Sequence, residues 1–357
     1  MHDMPWIMNI VYTVVIPVVV LLSFILVNAM YLQYVERKIW ARMQARLGPM
    51  QAGWQGIFQP IADTLKFLLK EDIIPAKADR LVFIVAPILM LTMAFGAFVA
   101  VPFGPDTVLF GRTVHLWASN LNIGVVYVLA LAGVGTYGVI LGGWASNNKY
   151  SLMGGYRSAA QMISYEIPMA FAVVTVVLMA GSLNLSEIVI AQTHRWFLFT
   201  PVGPVIFFLY LVAGFAETNR TPFDLPEAES ELVAGFMTEY SGIRFGFFFM
   251  AEFMNMLIVS LLVSILFLGG WLPPQIFPQT LGGIALIHWI NSVLAAIPPT
   301  VWLLGKMYFF FFVFSWVRAT LPRYRYDQLM DLSWKFLLPL SLATLLVAAF
   351  MKQGGWL

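Results

Sequence analysis

Three charged residues lie inside long apolar stretches of this chain. Glu166, Glu252 and Lys306 each stand in a run of about twenty mostly apolar residues. A charge at the centre of a bilayer costs about 2.5–3.5 kcal/mol, so three together cost on the order of 8–10 kcal/mol. Acids buried in this way are typical of groups that take up and release protons within a membrane. The alternative is a carboxyl neutralised by a neighbour such as Tyr165 or Asn255.

The segment 216–243 is unusually acidic. Asp224, followed by Pro226 and Glu227, resembles a helix N-cap with its capping box, which accounts for two carboxylates. The remaining acids have no evident partner, and crowded carboxylates in a poorly solvated place share protons. We therefore predict a helical acidic loop. Its acids are Glu217, Asp224, Glu227, Glu229, Glu231 and Glu239, against the single internal base Arg220.

The segment 34–80 is basic and contains an amphipathic stretch. Arg42 and Arg46 continue a four-residue spacing from Lys38, which favours a basic ridge that meets anionic lipid. From about 54 to 71, apolar residues recur at helical spacing, which predicts a helix lying in the membrane interface. On its polar side, Asp63 and Lys66 either pair at i,i+3 or face a polar chamber under a partner protein.

The run Gly133-Val134-Gly135-Thr136-Tyr137-Gly138 matches the letters of a dinucleotide-binding fingerprint. That fingerprint requires a strand before it and a helix after it, outside the bilayer. This copy lies inside an apolar span. Close packing of helices through small residues explains these glycines better.

Composition excludes several classes of protein. The 357 residues are 60% hydrophobic and 11% charged, with a net charge of +2, which excludes an ordinary soluble enzyme and gives no bulk field for nucleic acid. Cysteine is absent, so this chain holds no disulfide and no thiolate-bound zinc or iron–sulfur cluster. The four histidines are scattered, which argues against a bis-histidine haem.

The elements that position these residues are membrane helices. We predict a single all-α polytopic membrane domain with eight spans, the interfacial helix and the acidic loop. Sixteen of the 20 Lys and Arg residues fall in four of the connecting segments, so the positive-inside rule puts both termini outside. The outer connection 271–299 contains the apolar stretch 284–297, which is too short and wrongly placed for a ninth span. The spans are 8–33, 81–102, 120–142, 158–181, 198–215, 244–270, 300–317 and 335–352.

Several segments resemble one known family. The run AETNRTPFD at 216–224 with EAESEL at 227–232 is the most specific, and GWASNNKY at 143–150 and SYE at 164–166 accompany it. Further matches lie at 35–38, 59–63, 318–319 and 325–330. Together they resemble the H subunit of respiratory complex I, the NADH dehydrogenase subunit 1 family, from about residue 34 to 340. The longer outer connection 271–299 suggests a bacterial version in the inner membrane, or the mitochondrial inner membrane if the chain is from an organelle.

The resemblance implies a subunit of an H⁺-translocating NADH:quinone oxidoreductase that helps to form the quinone chamber. Its implied partners are peripheral subunits with the terminal iron–sulfur cluster and adjacent small membrane subunits. Ubiquinone or menaquinone would be the bound substrate, with no metal, flavin or haem on this chain. The implied chamber residues are Glu36, Arg37, Arg46, Asp63 and Lys66. The implied proton-coupling residues are Glu166, Glu217, Asp224, Glu227, Glu229, Glu231, Glu252 and Lys306.

Three other functions compete with this one. A self-contained cation/proton antiporter would also carry buried Glu and Lys, although antiporters usually contain paired interrupted helices from repeats. The equivalent subunit of a membrane-bound hydrogenase would differ mainly in its peripheral partners. An inert anchor is disfavoured because it has no use for three charges inside the membrane.

Overall fold

The chain folds into long apolar helices. The structure, a computed structural model, describes residues 16–109, 112–114, 116–225, 233–274, 294 and 296–355. The helices of the described ranges are α1 Ile16–Met43, α2 Gln59–Leu69, α3 Arg80–Ala97, α4 Gly124–Ala145, α5 Lys149–Ala180, α6 Leu185–Ala191, α7 Gly203–Glu217, α8 Gly242–Phe267, α9 Pro299–Thr320, α10 Tyr326–Asp331 and α11 Leu338–Gln353.

All eight predicted spans contain a helix, and the all-α polytopic fold class is confirmed. Within the described ranges, seven helices are long and apolar enough to cross a bilayer. The eighth, α7, has 15 residues and is about 22 Å long at 1.5 Å per residue, shorter than the roughly 30 Å hydrocarbon core. It begins at Gly203 and not near 198, because a 3₁₀ turn at Phe197–Phe199 precedes it. The chain is therefore a multi-pass membrane protein.

Other predicted boundaries were less accurate. α1 runs to Met43, ten residues past its predicted end, and α5 begins at Lys149, within the predicted inner loop. The reason is that charged residues readily continue a helix beyond the apolar layer. Hydropathy therefore indicates where a helix leaves the membrane, and not where the helix itself begins or ends. The stretch 284–297 lies almost entirely outside the described residues.

The C-terminal helix has an irregular first half. α10 passes into a π-helical turn at Leu332–Leu337 and then into α11, so that Tyr326–Gln353 is one 28-residue span. π-helical turns are rare and occur frequently at functional sites. This turn packs against α5 beside Ser164.

α8 is the central helix. In its most apolar stretch, 83% of the residues are buried, and the helix contacts α1, α3, α7 and α9. α3 and α4 pack tightly, since a Cβ on Gly138 would stand 2.8 Å from the Cβ of Met90 and 3.0 Å from the carbonyl oxygen of Ala86. This confirms that the glycine run is helix packing inside a span and not a nucleotide-binding turn.

A small β-hairpin interrupts the helical pattern between α3 and α4. β1 Thr107–Leu109 pairs antiparallel with β2 Arg112–Val114, with Thr107 opposite Val114. A strand is recognised in a sequence by apolar and polar residues that alternate over at least about four positions. These three-residue strands are too short to show that alternation, so the sequence did not indicate them.

Candidate functional site

The amphipathic stretch folds as a short 3₁₀ turn at Trp54–Gly56 followed by α2. Its polar side faces the protein: Asp63 is buried and accepts a hydrogen bond at 2.6 Å from Arg37 of α1. Lys66 lies farther from Asp63, at 3.8 Å, and is largely exposed. The predicted i,i+3 pair of Asp63 with Lys66 is therefore present but long, and the nearer partner of Asp63 is Arg37 on another helix. The alternative, a polar chamber under a partner protein, stays a prediction.

The apolar side of α2 points away from the rest of the chain. Its exposed side chains continue those of the preceding turn. They are Trp54, Phe58, Ile61, Leu65, Leu68 and Leu69. An apolar face left uncovered beside a membrane domain suits a helix that lies in the interface.

Glu36 is buried one helical position before Arg37. It is 3.2 Å from Arg318, whose guanidinium stacks on Trp40 at 4.3 Å. Arg220 also acts electrostatically on Glu36. Arg46 does not join this group, since it lies on the surface and donates to Gln44. The structure thus brings together Glu36, Arg37 and Asp63 and leaves Arg46 outside.

Arg220 and Glu252 form the most deeply buried ion pair of the described residues. Their closest atoms are 3.4 Å apart, and the side chains are 3% and 4% exposed. Arg220 also stacks on Phe253 at 4.6 Å. Glu252 is therefore matched by arginine, and not by Tyr165, whose hydroxyl donates to the carbonyl of Leu329.

Side chains from two other parts of the chain hold the start of the acidic loop. The Gln161 amide of α5 donates to the carbonyls of Ala216 and Phe223, each at 2.7 Å. Asp224 lies 3.3 Å from Arg323 of the α9–α10 connection. These contacts hold the backbone on both sides of Arg220, whose side chain lies beside Glu252.

Glu217, the last residue of α7, opens into a cavity. One of its carboxylate oxygens is buried and has no hydrogen-bond partner among the described residues. The cavity of about 30 Å³ lies between α3, α4 and α8 and is also lined by Asn255. Since one water needs about 10–15 Å³ of such space, the cavity has room for two or three waters and none for a quinone ring.

Glu166 lies on the other side of the same region. A Cβ on Gly133 of α4 would stand only 2.8 Å from its carboxylate oxygen, so Gly133 leaves the room that this carboxylate occupies. Glu166 also acts electrostatically on Glu217. Gly135, two residues farther along α4, lines the cavity itself. The glycines of α4 therefore make space for both acids.

Lys306 lies apart from these acids. Its ammonium donates to three backbone carbonyls where α8 ends, those of Leu268, Gly270 and Leu272, at 2.7–2.8 Å. It also stands over the Trp196 ring at 4.5 Å. All three N–H donors of a lysine are thereby used, which is the arrangement of a helix C-terminal cap.

The remaining predicted residues, Glu227, Glu229 and Glu231, lie outside the described residues, as does the predicted helix after Asp224. Sequence reasoning missed the arginines that neutralise the buried acids. They are Arg220, Arg318 and Arg323. The available signal was Arg220 as the only base inside an acidic loop, since a lone charge of opposite sign is a natural partner for a buried acid.

The chain is similar to known proteins over nearly its whole length. A family described as NADH dehydrogenase matches residues 16–349. The chain is 47% identical to the NADH-quinone oxidoreductase H subunit 2 of Rhizobium etli, over 98% of both chains. It is 48% identical to the protein of that name from Rhizobium meliloti, over 94% of this chain and 96% of the relative. It is 47% identical to the NADH-quinone oxidoreductase H subunit of Deinococcus deserti, over 98% of this chain and 87% of the relative. The chain therefore belongs to the NADH dehydrogenase family.

Proposed function

We propose that this chain is the H subunit of a proton-pumping NADH:quinone oxidoreductase and that it couples quinone reduction to proton movement. The observation that carries the proposal is a succession of charged groups from the interfacial helix into the membrane. It begins at Arg37 and Asp63, continues through Glu36 and the Arg220–Glu252 pair, and ends at the cavity acids Glu217 and Glu166.

The two ends of this succession suit different tasks. At the interfacial end, Arg37 is 40% exposed and can meet a quinone head group or a partner subunit. At the cavity end, Glu217 and Glu166 are like charges without a counter-ion among the described residues, so they resist being ionised together. When the quinone is reduced, the change in its charge would alter the electrostatic interactions of the arginines. Glu217 or Glu166 would then take up a proton.

The quinone chamber is completed by partners in this proposal. We place Glu36, Arg37, Asp63 and Lys66 on its membrane side, with peripheral iron–sulfur subunits above them and small membrane subunits alongside. Ubiquinone or menaquinone is the substrate, and its ring is bound between subunits because the interior cavity is too small for it. The chain lies in the bacterial inner membrane with both termini on the outer side.

The competing functions have less support. Relatives that cover nearly the whole chain are named as quinone oxidoreductase subunits and not as hydrogenase subunits. For an antiporter, the buried lysine should lie beside the buried acids, whereas Lys306 caps the end of α8. An inert anchor does not explain a buried Glu217 oxygen without a partner among the described residues.

The acidic loop gives a test of the proposal. Glu229→Gln and Glu231→Gln should each cut coupled quinone reductase activity several-fold while the complex still assembles, because they remove proton-carrying groups at constant size. The measurements are NADH:quinone turnover and proton uptake in membrane vesicles from a strain whose own copy of the gene is deleted. Glu187→Gln, an exposed acid at the start of α6, is the control. Unchanged turnover and pumping in both loop variants would contradict the carboxylate path.

A further inference from the structure

The backbone carbonyl of Ser164 lacks its usual hydrogen-bond donor within α5. In an α-helix this oxygen receives the backbone N–H of the residue four positions on, which here is Pro168. Proline has no N–H, and its ring crowds the carbonyl four positions earlier. A backbone acceptor in the buried middle of a membrane protein requires another donor, since leaving it unpaired costs free energy.

The π-helical turn of the C-terminal span supplies that donor. The Ser333 hydroxyl donates to the carbonyl of Ser164 at 2.6 Å, and Ser333 is fully buried. The next residue, Trp334, donates its indole N–H to the Ser164 hydroxyl at 3.2 Å. Four residues before Ser333, the Leu329 carbonyl accepts a bond from Tyr165 at 2.8 Å. One short segment thus bonds to two consecutive residues of α5.

These bonds stand directly before Glu166. A Cβ on Gly133 would stand 2.8 Å from its carboxylate oxygen, and Glu166 acts electrostatically on Glu217. A shift of α5 at Ser164 would therefore change the position of the Glu166 carboxylate relative to Gly133 and Glu217. The need for an added donor exists only because Pro168 is present.

We propose that Ser333 is a positioning residue: it replaces the backbone donor that Pro168 lacks and thereby holds the Ser164–Glu166 segment in place for proton coupling. The inference rests on the proposed function. It makes a particular prediction about pairs of substitutions, because an alanine at position 168 restores the backbone N–H and makes the Ser333 hydroxyl dispensable.

The test is a double-mutant cycle in the assembled complex, in the same deletion strain. Ser333→Ala should lower coupled turnover on the order of tenfold with the KM for quinone unchanged, since a buried acceptor loses its donor. Pro168→Ala alone should stay close to wild type. The double variant Ser333→Ala with Pro168→Ala should match Pro168→Ala, so that the second substitution rescues the first.

The matched control is Ser341→Ala. Ser341 is equally buried on α11, but its hydroxyl donates to the carbonyl of Leu338 in its own helix, so turnover should change less than about twofold. If Ser333→Ala blocks assembly, restored assembly in the double variant supports the inference.

Full turnover in Ser333→Ala, or no rescue by Pro168→Ala in either turnover or assembly, overturns the inference. A failure of the proposed function gives a different result. In that case deletion of this chain leaves NADH:quinone turnover intact, before any variant is compared.

Discussion

Among the described residues, five buried or half-buried acids form two groups that differ in their partners. Near the interfacial helix, Glu36, Asp63 and Glu252 each have an arginine within 3.4 Å. Glu217 lines the cavity beside the glycine-bearing α4, and Glu166 acts on it electrostatically, with no arginine paired to either acid among the described residues. Both groups are carried by the same bundle, so the difference lies in local pairing and not in depth alone.

The pairing decides what each group can do. Glu252 is held by the buried Arg220 and is suited to keep its charge, because protonating it would leave the arginine uncompensated. A buried carboxyl without a counter-ion changes its protonation state at a smaller cost. The arginine-paired group is therefore suited to transmit a charge change, and the cavity group to take up the proton.

Removing Arg220 should have the largest effect, because it breaks the paired group. Arg220→Met leaves Glu252 buried without its partner, which costs about 3–5 kcal/mol. We expect little assembled complex in membranes, measured by native gel electrophoresis, and a lower Tm for what remains. Lys335→Ala, which breaks the exposed pair with Asp331, should leave both unchanged. Normal assembly of Arg220→Met would show that the pair is not needed.

Replacing Lys306 tests whether the lysine at the outer end of α8 takes part in proton coupling or only stabilises the fold. Lys306→Met leaves three carbonyls without their donor, so stability should fall by about 2 kcal/mol. The ratio of protons pumped per electron should stay at the wild-type value, because the ammonium contacts carbonyls and no acid among the described residues. Lys352→Met, which removes a surface lysine that donates to the Leu178 carbonyl, is the control for stability. A changed ratio would return Lys306 to the proton path.

Gly133 sharpens the description of the cavity group. Gly133→Ala puts a methyl carbon 2.8 Å from a Glu166 carboxylate oxygen and so displaces the carboxylate, and we expect turnover to fall several-fold with normal assembly. Gly305→Ala is the matched control: it also replaces a helical glycine, but no atom lies within 4 Å of the added carbon. That variant should keep full turnover and gain up to about 1 kcal/mol of helix stability. Equal turnover in the two variants would show that the space at Gly133 does not matter for Glu166.

Hydropathy and spacing predicted the membrane class, seven helices long enough to span the bilayer together with the shorter α7, and the three intramembrane charges. They could not predict partners, because pairs such as Arg220 with Glu252 and Glu36 with Arg318 join residues far apart in sequence. Lys306 shows the same limit: a lysine inside a span indicates function, but only the folded chain reveals that backbone carbonyls receive its donors. The π-helical turn at Leu332–Leu337 also left no signal, since its residues are nearly as apolar as those of the α-helix that follows.

The central claim is that Glu217 handles protons while Glu252 is a fixed charge. Comparing Glu217→Gln with Glu252→Gln tests it most directly, with assembly, NADH:quinone turnover and proton pumping measured on the same vesicles. We predict that Glu217→Gln assembles normally and loses at least about tenfold of coupled turnover, whereas Glu252→Gln reduces the amount of assembled complex by leaving Arg220 unneutralised. Full turnover and pumping in a normally assembled Glu217→Gln complex would contradict the claim.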